Sequence, residues 1–266
     1  MEDGKPIGCS SLGEQVSSLA SSRCCQQVVI GTNSGFLYFL NCVNPERPRV
    51  VHHEKLFKVP VTFLQFDLDG QVLLAGASLD NRVFVVDGRP SRKFSVVGFM
   101  PVTSLLLGVS LLTENSLSWV LLLQSTSEAV STKGGSQLTR LCLPSSILND
   151  NCANMYGAIN EHLLQRCVYE LDVPATCAVL GPQSKVYTSF EYGGDIYVYQ
   201  LPQENSTVPV LCPVQRLAGH LAGEAMLCVS PHQQWLLSAA SDGLLFIREC
   251  SGTMVSFLIT QSVIRT

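Results

Sequence analysis

The chain has 266 residues, of which 46% are hydrophobic and only 14% charged, against about 25% charged in an ordinary globular domain. That balance excludes a disordered chain, and the length suffices to bury a substantial core. The net charge of -4 gives no basic footprint for nucleic acid and no Lys/Arg run for an anionic membrane, so neither partner is expected.

Residues 1–13 are polar, with no positive n-region and no apolar h-region, so they read as a polar N-terminal segment and not as a secretory signal. From residue 14 onward one unit recurs: an apolar strand, a polar turn, a second strand with small residues, a turn carrying Asp, Ser or Gly, and a third strand rich in branched and aromatic residues. The copy in 14–58 shows strands at 28–31 and 36–40 around Ser34-Gly35. The copy in 59–98 is the clearest, with strands at 61–66, 72–78 and 83–87, a turn at Asp67-Leu68-Asp69-Gly70 and another at Asp80-Asn81. The copy in 99–172 is the most degenerate. It has strands at 102–107, 117–123 and 138–143, insertions at 125–137 and 145–161, and the best helical candidate of the chain at 156–165.

That third copy includes most of the richest apolar stretch, 97–112, which with 117–123 reads as two buried strands and a turn. Thr113, Glu114, Asn115 and Ser116 interrupt it before the ~18 apolar residues of a membrane-spanning helix accumulate. The copy in 173–219 has strands at 175–179, 186–190 and 196–199 around Gly193-Gly194. The copy in 220–266 has strands at 225–229, 235–240 and 244–248 around Asp242-Gly243, with 254–259 as a fourth strand of its own.

Strands that read as continuous apolar runs are covered on both faces, and repeated sheets of this kind stand radially as the blades of a propeller. The expected fold is therefore all-β, a β-propeller of about five recognisable blades. Its second-to-third-strand turns (Ser34, Asp80, Gly134, Gly193, Asp242) lie somewhat further apart than the ~40–45 residues of a WD-type blade. Because residues 1–13 offer no strand to complete the last blade, an incomplete seven-bladed ring, the front part of a longer protein or a shortened isoform, is a further expectation.

Gly219-His220, Ser230-Pro231, Ser238 and Asp242 follow the order of a WD repeat. The chain resembles the WD-repeat family, in which a His, a Ser or Thr, a turn Asp and a strand Trp form a hydrogen-bonded cluster. The resemblance implies that His220, Ser238 and Asp242 form such a structural cluster, with Arg248 where the family has Trp and Glu249 where it has Asp. Asp80 takes the turn position of the second blade, with Val86 in its Trp position; Tyr199 and Leu40 stand there in two other blades. In overall texture, with degenerate and Trp-poor blades, the chain is similar to the large WD-repeat proteins associated with cilia and flagella.

No chemistry-bearing constellation competes with that reading. His52-His53 lack a third ligand in sequence and read as a pair on an exposed strand. Asp67 and Asp69 are half of a calcium loop without its closing Glu. Gly134-Gly135 is not followed by Lys-Ser/Thr, and no GxSxG elbow occurs. The eleven cysteines show no CxxC spacing and read as reduced thiols packed as small hydrophobes, with one of Cys24 and Cys25 buried and the other exposed. Trp119 and Trp235 read as packing residues.

Catalytic, cofactor-binding and metal-binding residues are therefore all expected to be absent, and no cofactor is implied. The expected function is a non-enzymatic protein–protein interaction scaffold, cytoplasmic, with partners that the ciliary resemblance implies to be axonemal or cytoskeletal. A scaffold subunit in trafficking, ubiquitin-ligase or ribosome-assembly complexes is the alternative, and a propeller enzyme a further one.

Overall fold

A computed structural model describes residues 7–114, 117–126, 135–144, 147, 157–159, 164–171, 173–191, 193–202, 210–221, 224–230, 232–251 and 254–259, the last stretch as backbone only. The chain forms a β-propeller architecture of five separate sheets, each contiguous in sequence but for the short additions described below. It divides into two compact units, Met1–Leu106 with Pro144–Leu163, and Leu107–Leu143 with Leu164–Thr266.

The first unit holds two blades. Blade one is β1 (Val16–Ser21), β2 (Gln27–Thr32), β3 (Phe36–Asn41) and β4 (Arg49–Lys55), antiparallel in that order. Blade two is β5 (Phe63–Phe66), β6 (Val72–Gly76), β7 (Arg82–Asp87) and β8 (Val96–Pro101). Every residue of β6 is buried, and so is all of β7 after Arg82, which is why both read as unbroken apolar runs. Five phenylalanines run through the largely aliphatic core of this unit. Phe39 stacks on Phe94 with centroids 4.4 Å apart, and Phe57 meets Phe84 edge-on at 5.2 Å.

The second unit holds three blades. Blade three is β9 (Leu106–Glu114), β10 (Leu117–Thr126), β11 (Gly135–Leu143) and β12 (Gln165–Leu171). Blade four is β13 (Ala175–Leu180), β14 (Lys185–Phe190), β15 (Ile196–Gln200) and, after a two-residue strand β16 (Val210–Leu211), β17 (Gln215–Leu217). Blade five is β18 (Met226–Val229), β19 (Trp235–Ala239), β20 (Leu244–Glu249) and β21 (Met254–Ile259).

Within each unit a serine hydroxyl joins adjacent blades by gripping a buried backbone group ahead of or at the start of the next blade's first strand. Ser17 Oγ donates to Val61 O at 2.7 Å. Ser136 Oγ donates to Ala175 O at 3.1 Å and accepts Ala175 N–H at 2.8 Å. Ser189 Oγ donates to Ala225 O at 2.5 Å. Val61, Ala175 and Ala225 are all buried, so these backbone groups have little access to water as an alternative partner.

Two blades carry a further strand on the outer side of their fourth strand. Beside β8, Phe99 pairs in parallel with Ala158; Phe99 N–H donates to Gly157 O at 3.0 Å and Ile159 N–H to Phe99 O at 2.9 Å. Beside β12, Glu170 and Leu171 pair in parallel with Val210 and Leu211 of β16. In both cases the connection between the third and fourth strands of the following blade supplies the strap: the β11–β12 connection for blade two, the β15–β17 connection for blade three.

Several expectations change. The apolar stretch 97–112 is not one blade's strand and turn: β8 closes blade two inside it and β9 opens blade three, so no strand spans 102–107. Apolar residues of β8 and β9 flank that blade junction on both sides, and only Thr103-Ser104 marks the boundary in the sequence. The helical candidate at 156–165 is not helical where described, since Gly157–Ile159 forms the strap and Gln165 begins β12. Fourth strands such as β4 and β12 were missed because most of their residues face solvent and show no apolar run. The insertion at 125–137 is largely outside the described residues, as is most of 145–161. At its ends β10 and β11 continue as a paired ladder to Thr126 and Gly135.

Candidate functional site

The tightest polar constellation lies in blade five. The 218–221 segment precedes β18, Ser238 lies on β19, Asp242 lies in the β19–β20 turn and Arg248 lies on β20. His220 Nδ1 is 3.2 Å from both carboxylate oxygens of Asp242, and its Nε2 is 3.0 Å from Ser238 Oγ. Asp242 also accepts the backbone N–H of Leu221 at 2.9 Å and of Leu244 at 3.0 Å. Arg248 Nη1 donates to Ser238 Oγ at 3.1 Å and Nη2 to Ala218 O at 2.9 Å. One neutral arrangement satisfies every contact: His220 Nδ1–H donates to Asp242, Ser238 O–H donates to His220 Nε2, and Arg248 donates to Ser238.

Packing holds this network shut. The Phe246 ring meets His220 edge-on at 4.8 Å, and the Arg248 guanidinium lies over the same ring at 4.6 Å. Gly219 leaves room for the guanidinium, because a Cβ there would meet Arg248 Nη2 and push it aside. Burial opposes ionisation of Asp242, but the two backbone N–H groups and the His220 ring outweigh it and hold the carboxyl below its ordinary range. Burial pulls the Arg248 pKa down.

The order Asp–His–Ser has the connectivity of a hydrolytic triad. Its chemistry differs, because Ser238 is only 1% exposed and its oxygen is already engaged by two side chains. A nucleophile needs an open line to its substrate, whereas this arrangement ties a loop, a strand and a turn together.

Asp80 lies in the equivalent turn of blade two and does not join a His–Ser pair. Its carboxylate takes Arg82 in a two-pronged contact at 2.8 Å on each oxygen. There the link from turn to preceding loop is made by Thr62 and Ser78, whose hydroxyls lie 3.1 Å apart while Ser78 N–H donates to Thr62 Oγ1 at 2.9 Å. Blade one makes the same link with inverted chemistry: Glu14, ahead of β1, accepts from Ser34 in the β2–β3 turn and from Tyr38 at 3.0 Å. Sequence reasoning passed over Glu14. The signal was the match of Ser34-Gly35 to Asp242-Gly243, two turns whose glycines both take left-handed φ, 86° and 76°.

The remaining candidate residues separate. His52 faces Phe39 and Phe94, while His53 stacks on Tyr38 across the strand, so the pair points to opposite faces. Asp67 Oδ1 accepts N–H from Gln71 at 2.7 Å and Val72 at 3.0 Å, closing a turn. Burial raises the Asp67 pKa despite those bonds. Among the described residues no three His, Cys, Asp or Glu side chains cluster as metal ligands, and no helix is long and apolar enough to cross a membrane. The cysteines differ from expectation: Cys142 and Cys250 are buried, but Cys9, Cys24, Cys25, Cys167, Cys212 and Cys228 are exposed. Cys25 adopts a left-handed φ of 54° at a hairpin turn, which places both Cys24 and Cys25 at the surface.

The first unit also has an open pocket of about 500 Å³. Its walls come from Gln27 and Leu40 on blade one, Val51 and His52 on β4, and Lys93 and Phe94 in the β7–β8 connection. Lys93 and Phe94 are consecutive non-glycine residues with φ of 56° and 54°. Left-handed backbone of that kind costs about 1–2 kcal/mol per residue, which the stacking of Phe94 on Phe39 helps to offset.

Residues 211–248, which include the whole His220–Ser238–Asp242–Arg248 network, match the family described as WD domain, G-beta repeat. The chain carries a WD repeat over that span and, in its arrangement of four-stranded blades, resembles the WD-repeat family. It is similar to cilia- and flagella-associated protein 43 of Xenopus laevis, 29% identical over 257 residues, and of Mus musculus, 30% identical over 245 residues. Those alignments cover 94% and 90% of this chain but 16% and 14% of the relatives, so the chain spans roughly one sixth of their length. The likeness to these relatives thus extends well beyond the single repeat that the family pattern picks out.

Proposed function

We propose that this WD-repeat chain is a non-enzymatic protein–protein interaction scaffold of ciliary or flagellar assemblies, working inside the cell with axonemal or tubulin-associated partners. The observation that carries the reading is the similarity to cilia- and flagella-associated protein 43 across nearly all of the chain's length. The structure supplies the physical means. Blades pinned to their neighbours within each unit by serine hydroxyls hold loops and strand edges in fixed positions, and such loops carry recognition. In this reading His220, Ser238 and Asp242 hold loops in place and perform no chemistry, and Asp80 does the same for blade two through Arg82.

The test is a fluorescently tagged chain expressed in multiciliated cells. Retention on the axoneme after detergent extraction is the expected result. A tag that washes out with the soluble fraction would overturn the ciliary assignment.

A further inference from the structure

The fourth strands β8 and β12 each receive a short apolar segment in parallel, delivered by the third-to-fourth-strand connection of the following blade. By that rule β4 of blade one should be covered by the β7–β8 connection. That connection is too short to do so. It turns through a three-residue 3-10 segment, Pro90–Arg92, and reaches β4 only through the Phe94 ring, 6.0 Å from His52.

The place where a strap would enter is the pocket beside Val51, His52, Lys93 and Phe94. Among the described residues no strand pairs with the outer side of β4, where Val50 and Val51 are 40% and 52% exposed. Gln27, which also lines the pocket, has a buried Oε1 with no hydrogen-bond partner among the described residues.

We infer that β4 and this pocket form a docking site for an extended segment of another protein, which adds to blade one as a parallel strand. The molecule itself shows the chemistry of the occupant: the straps on β8 and β12 present Ala158-Ile159 and Val210-Leu211, short apolar pairs held through their backbones. The exposed Lys93, with Arg92 beside it, adds a preference for an acidic residue flanking the apolar pair. Backbone pairing supplies affinity and the pocket supplies selectivity, as in other strand additions. The inference rests on the scaffold reading above and names a surface for it.

The experiment is amide hydrogen exchange on the whole chain, alone and with two synthetic probes copied from its straps, residues 155–162 (Met-Tyr-Gly-Ala-Ile-Asn-Glu-His) and 207–213 (Thr-Val-Pro-Val-Leu-Cys-Pro). Fast exchange in the free chain at the outward-facing amides of 49–55, those not bonded to β3, and slowing there by at least one probe is the expected result. The acid-bearing 155–162 probe should bind more tightly, and Lys93→Glu should weaken it at least fivefold while leaving the free chain's exchange pattern unchanged.

Protection of those outward-facing amides already present in the free monomer would mean that the chain covers its own edge. Protection that grows with protein concentration would mean a second copy. Either outcome, or no slowing with either probe, overturns the proposal. Axonemal retention of a Val51→Asp, Lys93→Glu chain would leave the scaffold reading standing without this site.

Discussion

Arg248 sits in an environment unusual for its type: a guanidinium 2% exposed, stacked on Phe246 and bonded to Ser238 and Ala218 O. It delivers to Ser238 the donor that the Trp of the resembled family would bring, so the network closes with Arg in that place. Arg248→Ala should cost about 2–4 kcal/mol, because it opens a cavity and removes the donor to the buried Ser238 hydroxyl. His220→Ala and Ser238→Ala should each cost about 1–3 kcal/mol in urea unfolding, and the double variant should cost little more than the worse single one, since they share partners.

The two buried carboxyls predict opposite responses to acid. The folded pKa of Asp242 lies below its unfolded value, so its stabilisation is present above the unfolded value near ~4 and is lost as pH falls through the folded pKa. The folded pKa of Asp67 lies above its unfolded value, so its ionisation works against the fold at neutral pH and that cost vanishes on acidification. Asp67→Asn keeps an acceptor for Gln71 and Val72, and should raise the urea midpoint at pH 7 but not at acid pH, below both pKa values. A midpoint lowered at pH 7 would show that the carboxylate charge itself holds the turn.

At the scale of elements, the serines that join blades matter more than their size suggests. Ser136 is 1% exposed and satisfies both Ala175 N–H and Ala175 O. Ser136→Ala leaves both groups unpaired in the interior, and a loss of about 1–3 kcal/mol in urea unfolding is expected. Legibility in the sequence followed burial. Second and third strands such as β6 and β7 were readable because both faces are covered and the apolar run is unbroken.

Of the fourth strands, β21 falls where the sequence placed it, but β4 and β12 were not readable: β4 exposes most of Arg49–Lys55, and β12 buries only Tyr169 and Leu171. The straps were invisible for a different reason, since one or two paired residues leave no periodicity to detect. The blade-five network was legible because its members keep a fixed order along the chain. The equivalent link at Glu14 was not, because a carboxylate there replaces the expected histidine.

At the scale of the whole molecule, low charge and high apolar content have one origin: repeated thin sheets that bury two faces need apolar residues at most positions of their central strands. The WD repeat at 211–248 and the similarity to the cilia- and flagella-associated proteins meet in this architecture, which offers many strand edges and loops. The account's central claim is that this frame exists to hold other proteins of the cilium. Affinity purification of the tagged chain from ciliated cells, compared with the same cells before ciliogenesis, tests it most directly. Axonemal proteins enriched only after ciliogenesis are the predicted result; an identical partner set in both states would contradict it.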